Sequence, residues 1–71
     1  MIRVWLEDSK TGIACGINHH GDLFLGDTRS GYNLPNTKEN RIKITKDFCR
    51  ITGRPMPELL PDGSPKITDT E

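Results

Sequence analysis

The chain has 71 residues, of which 32% are hydrophobic and 28% charged, with a formal net charge of zero at pH 7. That length allows one small domain with a thin core, of the kind commonly supplemented by a metal, a disulfide or self-association. No apolar run exceeds four residues, which excludes a membrane-spanning helix, and two cysteines, Cys15 and Cys49, are too few for a secreted disulfide scaffold. The first residues run directly into a strand pattern with no signal-peptide apolar region, so the expectation is a soluble, cytoplasmic protein.

In chain order, Ile2, Val4 and Leu6 alternate with Arg3, Trp5 and Glu7, the period-two pattern of a half-buried strand. Asp8 to Gly12 supplies turn formers, after which Ile13, Cys15 and Ile17 alternate with Ala14 and Gly16, small residues that let another group approach closely. His19-His20-Gly21-Asp22 reads as a second turn and Leu23-Phe24-Leu25 as a short third strand. Gly26 to Pro35 is so rich in turn formers that it reads as a loop. From Asn36 to Thr52 the punctuation is helical: Asn36 as N-cap, Glu39 reaching back, and Gly53 with Pro55 as the stop. Ile42, Ile44, Thr45, Phe48, Cys49 and Ile51 would form its apolar face, and Glu39–Lys43 and Lys43–Asp47 have i,i+4 spacing. Because Arg41 to Thr45 also alternates with period two, a strand there followed by a shorter helix is a competing reading. The expected fold is α+β: a three-stranded antiparallel meander packed by one amphipathic helix over residues 1–54. Residues 55–71, which hold four of the five prolines, form an extended, acidic, partly disordered tail, with Pro61-Asp62-Gly63-Ser64 as a turn.

The zero net charge conceals a division. Residues 38–54 carry Lys38, Arg41, Lys43, Lys46, Arg50 and Arg54 against Glu39 and Asp47, and the tail carries Lys66 against Glu58, Asp62, Asp69 and Glu71. A loop running into a helix N-terminus among basic residues is suited to anions, through free backbone N–H groups and the helix dipole. The candidate ligand site is therefore Arg29, Ser30, Gly31, Tyr32, Asn36, Thr37, Lys38 and Arg41, with Tyr32 available to stack on a base; the bland alternative is an ordinary connecting loop. The spacing matches neither phosphate-binding glycine fingerprint. Trp5, with Arg3 beside it on the second sheet face, is the candidate partner interface, either for a second copy or for another protein. Lys43, Lys46 and Arg50 offer a weaker nucleic-acid reading, tempered by Glu39 and Asp47 on the same face.

Adjacent His19 and His20 would point to opposite faces, and no second pair completes a zinc set; Cys15 and Cys49 fall at positions expected to be buried. No catalytic residue, metal or cofactor is assigned. In size and layout, with the Ser30-Gly31-Tyr32-Asn33 loop and a capped helix after a strand meander, the chain resembles small phage-type accessory, anti-defence proteins. That resemblance implies sequestration of nucleotide-derived signals or inhibition of host proteins by an oligomer. The expected function is a non-enzymatic, homo-oligomeric binding protein for an anionic, nucleotide-like small molecule.

Overall fold

A computed structural model describes residues 2–27 and 30–66. Four strands, β1 (Arg3–Asp8), β2 (Ile13–Ile17), β3 (Leu23–Gly26) and β4 (Gly31–Leu34), form an antiparallel meander in sequence order, followed by one helix, α1 (Lys38–Thr52). The architecture is thus α+β, with one strand more than the sequence reading expects. Residues Gly31 to Leu34 form an edge strand, because Tyr32 and Leu34 alternate with Asn33 and pair with Leu25 and Leu23. Gly31 lies directly opposite Gly26, where a Cβ on either residue would collide with the backbone of the other. The glycines that suggest a loop are what allow the two strands to close on each other.

Turn chemistry sets the hairpins. The Asp8 carbonyl accepts from Gly12 N–H at 2.8 Å, with Gly12 at φ 76°, while Asn18 Oδ1 accepts from His20 and Asp22 N–H at 2.9 and 3.1 Å. The third turn closes through Asp27 N–H to the Ser30 carbonyl at 2.8 Å.

The first strand departs from strict alternation. Val4 pairs with Gly16 and Leu6 with Cys15, so Trp5 is an extra residue in a β-bulge. The bulge carries Trp5 into the core, 8% exposed, while Val4 is left outward at 47%. The alternation of Ile2, Val4 and Leu6 predicts the reverse for Trp5 and Val4, because it assumes an unbroken period. Gly16 makes the bulge possible: a side chain there would run into the Arg3 carbonyl and press on the Trp5 nitrogen. Trp5 joins Cys15, Leu23, Leu25, Ile44, Phe48 and Cys49 in the core, with Leu6, Ile13, Ile17 and Leu34 packed around them.

Helix α1 crosses β2 and β3 and buries Ile44, Thr45, Phe48 and Cys49. Its N-cap is Thr37 rather than Asn36. Thr37 has extended backbone (φ −119°, ψ 162°) and its Oγ1 accepts from Asn40 N–H at 3.2 Å, so the residue three beyond the cap is Asn40 and not Glu39. Gly53, at φ 76°, ends the helix, and Arg54 N–H returns to the Cys49 carbonyl at 3.0 Å. Arg41 to Thr45 is helical throughout, so the competing strand does not form; Ile51, assigned to the apolar arc, is half exposed.

After the helix the chain returns along the molecule. Arg54 Nε and Nη2 donate to Asp8 Oδ1 at 3.0 and 2.9 Å, strapping the helix C-terminus to the end of β1. Residues 58–66 then form a small hairpin: Leu59 bridges Pro65, Leu60 N–H donates to the Ser64 carbonyl at 2.8 Å, and Lys66 N–H to the Glu58 carbonyl at 2.7 Å. Ser64 and Pro65 are buried, and Gly63, at φ 92°, rests on the Lys38 backbone. Up to Lys66 the tail is therefore folded against the domain and not extended; the disorder expected beyond Ile67 concerns residues 68–71, which lie outside the described residues.

Candidate ligand-binding cleft

The folded tail creates a cleft of about 460 Å³ at the N-terminal end of α1. Trp5 and Ile17 of the sheet and Leu60 and Pro65 of the tail supply its apolar lining. Arg3 of β1, Arg41 of α1 and Lys66 of the tail bring positive charge from three separate elements, and Asn36, Asp62 and Ser64 complete the lining. A volume in this range is typical of small-molecule sites, which combine apolar walls with a few placed polar groups.

Each polar group has a defined state. Arg41 donates through Nε to Asn36 Oδ1 at 2.8 Å and through Nη1 to the Asp62 carbonyl at 2.6 Å. Those two bonds hold the guanidinium between the helix entry and the tail, and Nη2 has no hydrogen-bond partner among the described residues. Arg3 is paired in register with Ile17 and so lies on the helix-bearing side of the sheet, and its side chain has no hydrogen-bond or ion-pair partner among the described residues. Lys66 stands 3.8 Å from Glu58, with both side chains more than half exposed, an arrangement that costs little to break. Asp62 turns Oδ1 toward its own turn, accepting from Ser64 Oγ at 2.6 Å and Ser64 N–H at 3.0 Å. These Ser64 bonds, with a smaller contribution from Arg41, hold the Asp62 carboxyl below its ordinary value of 3.8. Asp62 is thus an ionised structural group, and the lining remains cationic.

Five of the eight expected ligand residues are divided between two places. Asn36 and Arg41 line the cleft. Thr37 spends its hydroxyl oxygen on the cap, and Lys38 contributes a backbone surface under Gly63 without lining the cleft. Ser30, Gly31 and Tyr32 instead border a shallow hollow of about 330 Å³ at the β3–β4 hairpin, with Asp27 and no cation among the described lining residues. Arg29 lies outside the described residues. Tyr32 is a strut: its hydroxyl donates to Asp47 Oδ2 at 2.6 Å, and burial together with that carboxylate pushes the phenol upward. Asp47 is roughly 14 Å along the helix from Lys38 at about 1.5 Å per residue, so Tyr32 and the helix N-terminus cannot share one small ligand.

Trp5 is buried, so it is not the exposed partner anchor expected, and Arg3 belongs to the cleft. Ile17, Leu60, Asp62, Ser64, Pro65 and Lys66 are the lining residues that the sequence reading does not assign. The Pro61-Asp62-Gly63-Ser64 turn was a visible signal that the chain doubles back, although its docking site was not.

Burial pushes the Cys15 thiol up to about 12 and raises Cys49 too. His19 and His20 are exposed in their turn with ring centroids 4.1 Å apart. Among the described residues no three His, Cys, Asp or Glu side chains group closely enough to hold a metal, and no helix is long and apolar enough to cross a membrane. No protein-family profile, curated protein or solved structure matches the chain.

Proposed function

We propose that this protein is a non-enzymatic binding protein for an anionic small molecule of nucleotide-like size, held in the cleft between α1, β1 and the folded tail. The observation that carries the reading is the convergence of Arg3, Arg41 and Lys66 on one apolar-lined cleft of about 460 Å³. Guanidinium forks favour phosphate and carboxylate oxygens, and Arg41 is already oriented by Asn36 and Asp62. The lining holds no histidine or cysteine, and its one carboxylate is kept ionised by Ser64, which supports binding without turnover. Such a role agrees with the signal sequestration that the resemblance to phage-type accessory proteins implies.

Thermal unfolding against inorganic phosphate and a panel of nucleoside mono- and diphosphates tests the reading. A ligand at one hundred times its Kd stabilises by about 2.7 kcal/mol, which for a domain of this size raises Tm by roughly 10–20 °C. Arg3→Gln, which removes a guanidinium that has no hydrogen-bond or ion-pair partner among the described residues, should abolish the shift and leave the unliganded Tm unchanged. Absence of stabilisation by every anion counts against the proposal.

Homo-oligomerisation is a separate part of the proposal, supported by the exposure of Ile2 and Val4 on the sheet face that α1 does not cover. The tail supplies the third wall of the cleft within one chain, so a monomeric mass in solution would remove this part and leave the cleft intact.

A further inference from the structure

The C-terminal half of α1 carries a second hollow, of about 490 Å³, between the helix and the segment that follows it. Lys46, Asp47, Cys49 and Arg50 line it from the helix, and Arg54 and Met56 from beyond the C-cap. The charges here look balanced on paper but are not balanced in space. The ion pairs Lys43–Asp47, Arg50–Asp47 and Arg54–Asp8 have cation side chains 58, 78 and 52% exposed, against 20% for Asp47 and 5% for Asp8. Each carboxylate is sunk beneath the cations and engaged on several sides: Asp47 also accepts from Tyr32, and Asp8 from Thr11. Lys46, also exposed, has no ion-pair partner among the described residues. A partner approaching from solvent therefore meets a rim dominated by cations, and Asp47, the one carboxylate among the lining residues, is 20% exposed and engaged by Lys43, Arg50 and Tyr32.

Beside that rim lies an exposed apolar group. Met56 is solvent-exposed, and Cys49, whose Sγ donates to the Pro55 carbonyl at 3.5 Å, forms the floor. Methionine suits binding surfaces because its unbranched thioether adapts to what it meets. A positive rim around an apolar hollow distinguishes two classes of polyanion. Single-stranded nucleic acid gains from aromatic platforms, and none of the lining residues is aromatic. A duplex backbone would contact the cations and leave the Met56 hollow unfilled. An acidic peptide with an apolar side chain among its carboxylates would use both features.

We propose that this groove docks an acidic peptide segment of a partner protein, with carboxylates on Lys46, Arg50 and Arg54 and one aliphatic side chain against Met56 and Cys49. It lies at the opposite end of α1 from the ligand cleft and does not depend on the reading of that cleft.

Fluorescence polarisation with a labelled eight-residue peptide, Asp and Glu around one central Leu, tests it. The probes for comparison are the same peptide with Ser for Leu and a labelled DNA duplex of similar charge. Saturable binding is expected, weakened about tenfold by the Leu-to-Ser change in the peptide and by Met56→Ser in the protein, the scale expected for losing one buried aliphatic contact. Lys46→Glu with Arg50→Glu should abolish it, with retained helical circular dichroism showing that the fold survives. Binding that follows peptide charge but ignores both Leu and Met56, tighter binding of the duplex, or no peptide binding overturns the proposal.

Discussion

At Asp8 one carboxylate joins a turn, a strand end and a helix cap. Oδ2 accepts from Thr11 N–H and Oγ1 at 3.1 and 2.8 Å, and Oδ1 takes the Arg54 fork. The Thr11 hydroxyl first, then Arg54, lowers its pKa from the ordinary 3.8. A carboxyl lowered in the folded state contributes stability that is present above 3.8 and lost as pH falls through the folded value. Asp62, lowered by Ser64, acts in the same direction. Thermal unfolding should therefore be flat above about pH 5 and weaken below about pH 4. Asp8→Asn should lower Tm at neutral pH and flatten the acid limb, and an unchanged limb would show that Asp8 is not enclosed as described. At the helix start, Thr37→Ala should cost about 1 kcal/mol in denaturant unfolding. Asn36→Ala should leave the cap intact and release only Arg41. Equal losses would return the cap to Asn36.

Among the elements, the bulged β1 and the glycine-closed β4 mark how far the sequence could be read. The helix is legible because its caps and the Gly53 and Pro55 stop are local signals; the N-cap falls one residue later than expected and Ile51 lies outside the buried arc. Strands β2 and β3 were legible from alternation and turns. Trp5 was not, since the bulge that turns it inward depends on Gly16 meeting Arg3 across the sheet, a contact between strands that one strand's pattern does not encode. Within β4, Tyr32 and Leu34 kept the alternation of a strand, but the surrounding turn formers obscured it. Of the site, Asn36 and Arg41 were legible from the helix start, whereas Arg3, Ser64 and Lys66 come together only after the tail folds back. Gly16→Ala forces a methyl group into the Arg3 carbonyl and should destabilise by about 1–3 kcal/mol, typical of overpacking, with loss of the bulge. A neutral Gly16→Ala would mean that β1 runs unbulged. Phe48→Ala, at the centre of the helix–sheet contact, should cost about 3–5 kcal/mol and serves as the reference for a core loss.

For the whole molecule, zero net charge resolves into local fields. Cations gather at both ends of α1, while Asp8 and Asp47 are turned inward and Asp62 is engaged by Ser64 of its own exposed turn. The tail contributes to the working surface of the domain: residues 58–66 wall the cleft and cover the helix N-terminus. Amide chemical-shift mapping during titration with a nucleoside monophosphate reports every part of the molecule at once and so locates the ligand. Binding in the cleft gives saturable shifts at Arg3, Ile17, Asn36, Arg41, Ser64 and Lys66, with Ser30 to Asn33 unmoved. Shifts concentrated at the β3–β4 hairpin, or none at all, would contradict it.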